Sequence, residues 1–318
     1  MKRIAILTSG GDSPGMNSAI RSVVRYALSH GVSVTGVSHG YQGLVDKNFT
    51  ELDRRDVSNI INLGGTFLKT ARSEEFLKRA GREKAYKNMT ESGIEGFIVI
   101  GGNGSYKGAL VFNREYDFPA VGIPATIDND IAGTQETLGF DTALNTAMDA
   151  IDKIRDTAYS MDRIFLVEVM GRESGAIAVH SALAGGAEDV IIPEIKQDMD
   201  SILEKVKQGR KSGKKSWIIV VAEGSGKTGI MVEELRKYID DVRVTVIGHI
   251  QRGGSPSAFD RILGARMGSA AVDALLRGKR HHAVGWRNDA PVVYPLKDAV
   301  EYKRENFSQF IKLIQILT

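Results

Sequence analysis

Short apolar runs punctuate the chain at Ile4–Leu7, Phe97–Ile100, Ala120–Ile123, Ile164–Val169, Val190–Ile192, Trp217–Val221 and Val244–Ile247. A short run with no polar alternation has no face to offer water, so each predicts a strand buried on both faces, as in a parallel sheet. Between the runs the period changes. Leu144, Ala147, Met148, Ile151 and Ile154 fall on one stripe at helical spacing, which predicts a helix over 142–158. Met16–Leu28, Glu74–Met89, Asp198–Gly209 and Ala258–Leu276 also suit helices. Alternating strands and helices predict a doubly wound α/β fold, and the strand count favours two mainly parallel sheets over one. Ligands are then expected beyond the carboxyl ends of the strands, at switch points and between domains.

Glycine sharpens this picture. Many of the 35 glycines follow apolar runs, at Gly10–Gly11, Gly101–Gly102–Gly104, Gly171–Gly175, Gly185–Gly186 and Gly253–Gly254. Glycine at a strand end suits a tight turn whose backbone approaches a ligand closely. A chain of 318 residues with 42% hydrophobic and 25% charged content is ordinary globular material. Its formal charge of +3 gives no reason to expect nucleic acid. The absence of cysteine excludes disulfides, thiolate catalysis and thiolate-bound metals. The start MKRIAILTSGG is too short in apolar residues for a signal peptide, and no run approaches membrane-spanning length, so a cytoplasmic protein away from membranes is expected.

One stretch imitates a phosphate loop. The run ending at Val221 leads into GSGKTG, but the glycine needed five positions before Gly226 is Val221 itself. No apolar run ending in a metal-binding aspartate presents itself as a partner. The P-loop reading is rejected, and a nucleotide site must lie elsewhere. TSGGDSPGMN and GGNGS, each following a strand and opening a helix (at Ser105 in the second), could grip a polyphosphate between them. In PATIDND, Thr126, Asp128 and Asp130 alternate; in an extended segment they would share a face and suit a base and a metal-holding carboxylate, whereas the bland reading is an Asx turn. Arg172 in MGRESG is placed to stabilise phosphoryl charge or to make a surface ion pair. His249 and Arg252 in HIQRGGSP suit a phosphate clamp or a polar loop, and Arg21 and Arg25 form a basic helix face.

Each feature is ambiguous alone. In order, TSGGDSPGMNSAIR, GGNGS, PATIDND, GFDTALNT, EVMGR, VAEG and GHIQRGGSPSAFDR closely resemble the bacterial ATP-dependent 6-phosphofructokinases, from residue 1 to about 280. The resemblance implies two Rossmann-like domains with the active site in the cleft between them. It assigns 1–138 plus about 251–301 to ATP, and 139–250 plus about 302–318 to fructose 6-phosphate. It implies phosphoryl transfer from MgATP to the sugar 1-hydroxyl, a committed step of glycolysis, with Mg2+ as cofactor. Asp128 matches the general base, with Thr126 and Asp130 beside it, and Arg172 the arginine on the transferring group. Gly11, Arg72, Ser73, Gly102, Asn103, Gly104 and Ser105 match nucleotide contacts. Met170, Gly171, Glu223, His249 and Arg252 match the sugar-phosphate pocket, together with Thr126, Asp128 and Arg172. Arg163 and Arg243 match arginines that reach a neighbouring subunit's substrate, which implies a homo-oligomer, usually a tetramer. Arg21, Arg25, Arg54, Ser58, Asn59, Arg155, Gly186, Glu188, Lys214 and Lys215 match an effector pocket for ADP or phosphoenolpyruvate. Ser212 and Ser216 fall in that pocket where many members carry basic or aromatic cationic residues, so its charge is lower here.

Asn103 and Ala125 also depart from the pattern. Asn103 stands where most members have a magnesium-binding aspartate; its amide oxygen is still a hard ligand but brings no charge. Ala125 stands where ATP-using members usually have glycine. Pyrophosphate-using relatives carry lysine there and aspartate at 104, so Gly104 and Ala125 favour ATP. An active kinase is therefore the leading expectation. A regulatory subunit with weak catalysis is the alternative that Asn103 raises, and a pyrophosphate-dependent enzyme stands behind it.

Overall fold

The computed structural model describes residues 1–195, 199–239, 241–301 and 306–318. Its strands are β1 (Arg3–Ser9), β2 (Ser33–Val37), β3 (Phe49–Leu52), β4 (Phe97–Gly101), β5 (Ala120–Pro124), β6 (Ile164–Val169), β7 (Asp189–Ile191), β8 (Trp217–Ala222), β9 (Val242–Val246), β10 (His282–Arg287) and β11 (Ala290–Pro295). Its helices are α1 (Met16–Ser29), α2 (Gly40–Asp46), α3 (Glu74–Leu77), α4 (Arg79–Glu91), α5 (Asn103–Tyr116), α6 (Phe140–Ser160), α7 (Ala176–Ala184), α8 (Met199–Lys211), α9 (Thr228–Arg236), α10 (Ala258–Leu276), α11 (Leu296–Ala299) and α12 (Ser308–Leu317), with 3-10 turns at Glu223–Ser225 and Gly248–Arg252. The chain divides into two compact units, Met1–Thr142 with Arg252–Lys303 and Ala143–Gln251 with Arg304–Thr318.

The first unit holds a seven-stranded sheet in the order β11-β10-β5-β4-β1-β2-β3. β1, β2, β4, β5 and β10 run parallel, while β3 and β11 close the two edges antiparallel. Alternation along β1 explains why both faces are covered. Ile4 and Ile6 pack with residues of α1 and α10, whereas Ala5 and Leu7 pack with residues of α2, α4 and α5. Each fully buried Ile or Leu contributes about 1.5–3 kcal/mol, so the apolar runs pin the sheet between two helical layers. From β1 the chain proceeds to β2 on one side and β4 lies on the other, so β1 and β4 meet at a switch point.

The second unit holds a four-stranded parallel sheet in the order β7-β8-β6-β9. Its core joins alternate residues of β6 and β8 to Leu203 and Val206 of α8 and Met231 and Leu235 of α9.

Several expectations change on contact with this architecture. The seven apolar runs fall on strands, but β9 is an edge strand with Val244 and Val246 exposed, not buried on both faces. β2, β3, β10 and β11 carry no comparable run. The single helix expected over Glu74–Met89 is two. Lys78 leaves helical geometry at ψ 146, and the guanidinium of Arg82 donates to the terminal carbonyls of Phe76 and Leu77 at 3.0 and 2.7 Å. Arg82 is itself held by a two-pronged ion pair to Glu115. Residue 198, the expected start of α8, and residue 302, the expected start of the last segment, lie outside the described residues.

The start of α6 is fixed by a buried carboxylate. Asp260 accepts from the backbone N–H groups of Gly139 and Thr142 at 2.8 and 2.9 Å and from the Thr142 hydroxyl. Ser257 caps α10 by accepting from the Asp260 N–H at 3.2 Å, and its hydroxyl donates to Asp141. Asp260 of α10 thus supplies the acceptors missing from the first turn of α6, while α10 is capped by its own Ser257. Burial pushes the Asp260 carboxyl up from 3.8 to about 6, against the lowering effect of its hydrogen bonds.

Candidate active site

In the first unit, three neighbouring parallel strands, β5, β4 and β1, deliver their carboxyl-terminal turns side by side. The turns after β4 and β1 are drawn together by glycine: a Cβ on Gly101 would sit 2.4 Å from the Ser9 carbonyl oxygen. Buried Ser105 then donates from its hydroxyl to that same carbonyl at 2.8 Å. Helix α5 opens at Asn103, two residues earlier than expected. Gly104 faces open space: a Cβ added there would meet nothing within 4 Å. The result is a recess at a helix N-terminus with no side-chain cap, where the N–H groups of Asn103 and Gly104 suit a phosphate.

The remaining expected nucleotide contacts include Arg72 and Ser73, which lie between β3 and α3. Ser73 caps α3, accepting from the Phe76 N–H at 3.0 Å and donating to Gln42 at 2.7 Å, so its hydroxyl has a structural task. Arg72 is exposed. Arg252 lies over the β1 turn. Its guanidinium donates to Asp12 at 3.2 Å, and a Cβ on Gly11 would meet it at 2.1 Å. Asp12 was not singled out by sequence, and its charge becomes meaningful only with Arg252 beside it.

The segment after β5 is not extended. Asn129 adopts a left-handed conformation at φ 50, and the Thr126 hydroxyl accepts from the Asp128 N–H at 3.2 Å. Strict side-chain alternation of Thr126, Asp128 and Asp130 therefore fails, because the chain turns rather than running on as a strand. Asn129 ties the turn to the Gln135 carbonyl at 2.9 Å, and Thr137 ties the Thr126 carbonyl at 2.6 Å. Asp128 is buried, and Asp130 is directed to the start of α5, accepting from the Asn103 side-chain amide at 2.8 Å. Asn103 Oδ1 is buried with no hydrogen-bond partner. A hard oxygen left unpaired beside a carboxylate, at a recess for phosphates, fits Mg2+ carried by a nucleotide. Among the described residues no group of three or more His, Cys, Asp or Glu could hold a metal by itself.

In the second unit the turn after β6 carries Met170, Gly171 and Arg172. Gly171 and Arg172 both have positive φ, at 143 and 52. The neighbouring strand β8 ends directly at Glu223, whose Oε1 accepts from the N–H groups of Gly171 and Arg172 at 3.2 and 2.9 Å. Gly224 is required beside it, since a Cβ there would fall 1.6 Å from the Arg172 carbonyl oxygen. Gln251, buried and missed by sequence reasoning, accepts from the Met170 N–H at 2.8 Å. It sits inside the HIQRGG motif, where the charged neighbours drew attention away from it. His249 is exposed.

Arg163 and Arg243 do not join that turn. Both pair with Asp241, at 2.5 and 2.8 Å, at the opposite end of β6, and Arg163 chiefly holds the Asp241 carboxyl below its ordinary value. The expected effector residues are spread over both units. In the first, Arg25 donates to the Arg54 carbonyl at 3.2 Å, Ser58 donates to the Arg55 carbonyl at 2.7 Å, Asn59 is exposed, and the Nε atoms of Arg21 and Arg25 are buried without partners. In the second, Arg155 donates to the Gly186 carbonyl at 2.7 Å, while Glu188 accepts from the Ile218 N–H at 2.6 Å and pairs with Lys214 at 3.1 Å. Lys215 pairs with Asp162, Ser212 bonds back to its own helix, and Ser216 is half-buried.

The phosphofructokinase family model matches residues 3–275 of this chain. The ATP-dependent 6-phosphofructokinase of Shouchella clausii is 50% identical over 319 residues, covering all of both chains. ATP-dependent 6-phosphofructokinase 1 of Thermus thermophilus is 50% identical over 321 residues, covering 100% of this chain and 99% of its own. Among solved structures, phosphofructokinase from Saccharomyces cerevisiae matches with a TM-score of 0.89 at 35% identity, over 94% of this chain and 45% of the yeast chain. This chain thus spans less than half the length of the yeast one. A pyrophosphate-dependent phosphofructokinase from Marinobacter aquaeolei, at 22% identity and a TM-score of 0.85 over 100% of this chain and 91% of its own, shares the fold.

Proposed function

The chain belongs to the phosphofructokinase family, and from that premise we propose that it transfers a phosphoryl group from MgATP to the 1-hydroxyl of fructose 6-phosphate. The products are fructose 1,6-bisphosphate and ADP. The observation that carries this reading is the side-by-side delivery of a phosphate-suited recess after β1 and β4 and a buried Asp128 after β5. Gly11 and the turn Gly102–Ser105 hold the nucleotide phosphates, with Arg72 and Ser73 flanking them. Asp128 takes the proton from the attacking hydroxyl, and Thr126 shapes its turn. Arg172 offsets charge developing on the transferred group. Asn103 through Oδ1, with Asp130 next to it, would hold Mg2+, which when bound neutralises phosphate charge. The open space at Gly104 suits a nucleoside triphosphate better than the smaller pyrophosphate donor.

The sugar phosphate falls to Met170, Gly171, Glu223, His249 and Arg252. Arg163 and Arg243, at the far end of β6 from Arg172, serve a neighbouring copy, so the working unit is a homo-oligomer, a tetramer. The clusters at Arg25–Arg54 and Glu188–Lys214 take ADP or phosphoenolpyruvate. No helix among the described residues is long and apolar enough to cross a membrane; the proposed site of action is the cytoplasm.

The test is turnover of fructose 6-phosphate with MgATP and with Mg-pyrophosphate, for the natural chain and for Asp128→Asn. ATP-specific turnover that falls by about 10²–10⁴-fold in the variant is expected, the range for loss of a general base. Activity with pyrophosphate alone, or an unaffected variant, would sink the assignment.

A further inference from the structure

Asn103 is held by Asp130 and not by the recess it faces. Its Nδ2 donates to Asp130 at 2.8 Å, so its Oδ1 is the atom left over, buried and without a hydrogen-bond partner. The opposite amide rotamer would set Oδ1 against the carboxylate, two acceptors in contact, and point the N–H pair at the recess. Asp130 thereby selects which end of the amide is presented. It is itself placed by the left-handed Asn129, which the Gln135 carbonyl anchors at 2.9 Å. The carboxylate also approaches the start of α5, where unpaired N–H groups favour negative charge.

We propose that Asn103 and Asp130 are a pre-assembled pair in which Asp130 is the positioning residue for Asn103. Their hydrogen bond does what a bridging cation would do between two carboxylates: it holds the side chains together before any ligand arrives. The pair carries a single negative charge, to which Asn103 adds one neutral oxygen. That is too little to capture a divalent cation from water, since Mg2+ sheds its hydration shell reluctantly and needs several oxygens. The cation therefore enters with the nucleotide and not ahead of it. This rests on the nucleotide reading of the recess given above.

Thermal unfolding of the full chain tests the pair without using activity. MgCl2 alone should leave the melting temperature of the natural chain within about 1 °C, whereas MgATP should raise it. Asn103→Asp sets two carboxylates against each other; in cation-free buffer it should melt roughly 2–4 °C lower, and MgCl2 alone should restore the difference. An equal response of both proteins to MgCl2 alone overturns the proposal. Should the variant not fold, Mn2+ titration of the natural chain followed by electron paramagnetic resonance decides. Saturable micromolar binding without nucleotide overturns the pair; binding that appears only with ATP supports it. If MgATP fails to shift the natural chain, the nucleotide reading fails, while the two cation measurements still judge the pair.

Discussion

The turns after β4 and β6 occupy the same topological place, at the carboxyl end of an interior strand of a parallel sheet, yet they are filled in opposite ways. After β4, side chains serve one another: Ser105 donates to the Ser9 carbonyl, Asn103 donates to the Asp130 carboxylate, and the N-terminus of α5 is left to the open space beyond Gly104. After β6, Glu223 has already delivered a carboxylate to the N–H groups of Gly171 and Arg172. A turn whose backbone donors already hold a carboxylate has none to spare for a phosphate, and leaves charge recognition to side chains such as Arg172. One whose donors are uncommitted invites a phosphate. This is why GSGKTG, beside the filled turn, is a poor phosphate loop, whereas GGNGS has less of the familiar spelling and more of the required physics.

That contrast breaks most severely at Gly224. Gly224→Ala would drive a methyl into the Arg172 carbonyl and swing Arg172 off its mark. Steady-state kinetics should show kcat falling on the order of 10²–10³-fold, the cost of losing one preorganised charge contact. The KM for MgATP should stay within about twofold if the nucleotide belongs to the other turn. A matching rise in that KM would merge the two sites.

Asp260 offers a milder test, because it does for α6 what Glu223 does for the β6 turn but does it in full burial. With its carboxyl raised from 3.8 to about 6, the folded state favours the protonated acid more than the unfolded chain does. Its contribution is fully present below about pH 4 and is lost as pH rises through 6, on the order of 2–3 kcal/mol across the window. Urea unfolding at several pH values should show this slope in the natural chain and a flattened one in Asp260→Asn. An unchanged slope would mean that the hydrogen bonds from Gly139 and Thr142 fully offset burial. The smallest effect is expected at Lys227, the lysine of the false loop: Lys227→Ala should change the KM for MgATP by less than about twofold. A larger change would return the nucleotide to the GSGKTG segment.

Much of the fold is legible in apolar runs, and the residues that escape do so for physical reasons. β3 and β11 are antiparallel edges whose residues are largely exposed or half-buried, so burial writes no continuous run into them. β9 betrays the converse error: its valines look like core, but the strand has a neighbour on one side only. The split between α3 and α4 is invisible to periodicity because its cause, Arg82 reaching the carbonyls of Phe76 and Leu77, is a side chain acting on backbone. At the site, glycine-rich strand ends mark the two turns well. Asp12 and Gln251 do not announce themselves, since each matters through a partner far away in sequence.

The pairing of Arg163 and Arg243 on Asp241 has a consequence for selectivity. Each guanidinium meets the Asp241 carboxylate through Nε, so part of its charge is already offset before any ligand arrives. If the two arginines serve a neighbouring copy as proposed, a doubly charged oxyanion able to engage both is better matched to them than chloride. Asp241 thus holds the two cations side by side and reduces the net charge that they present.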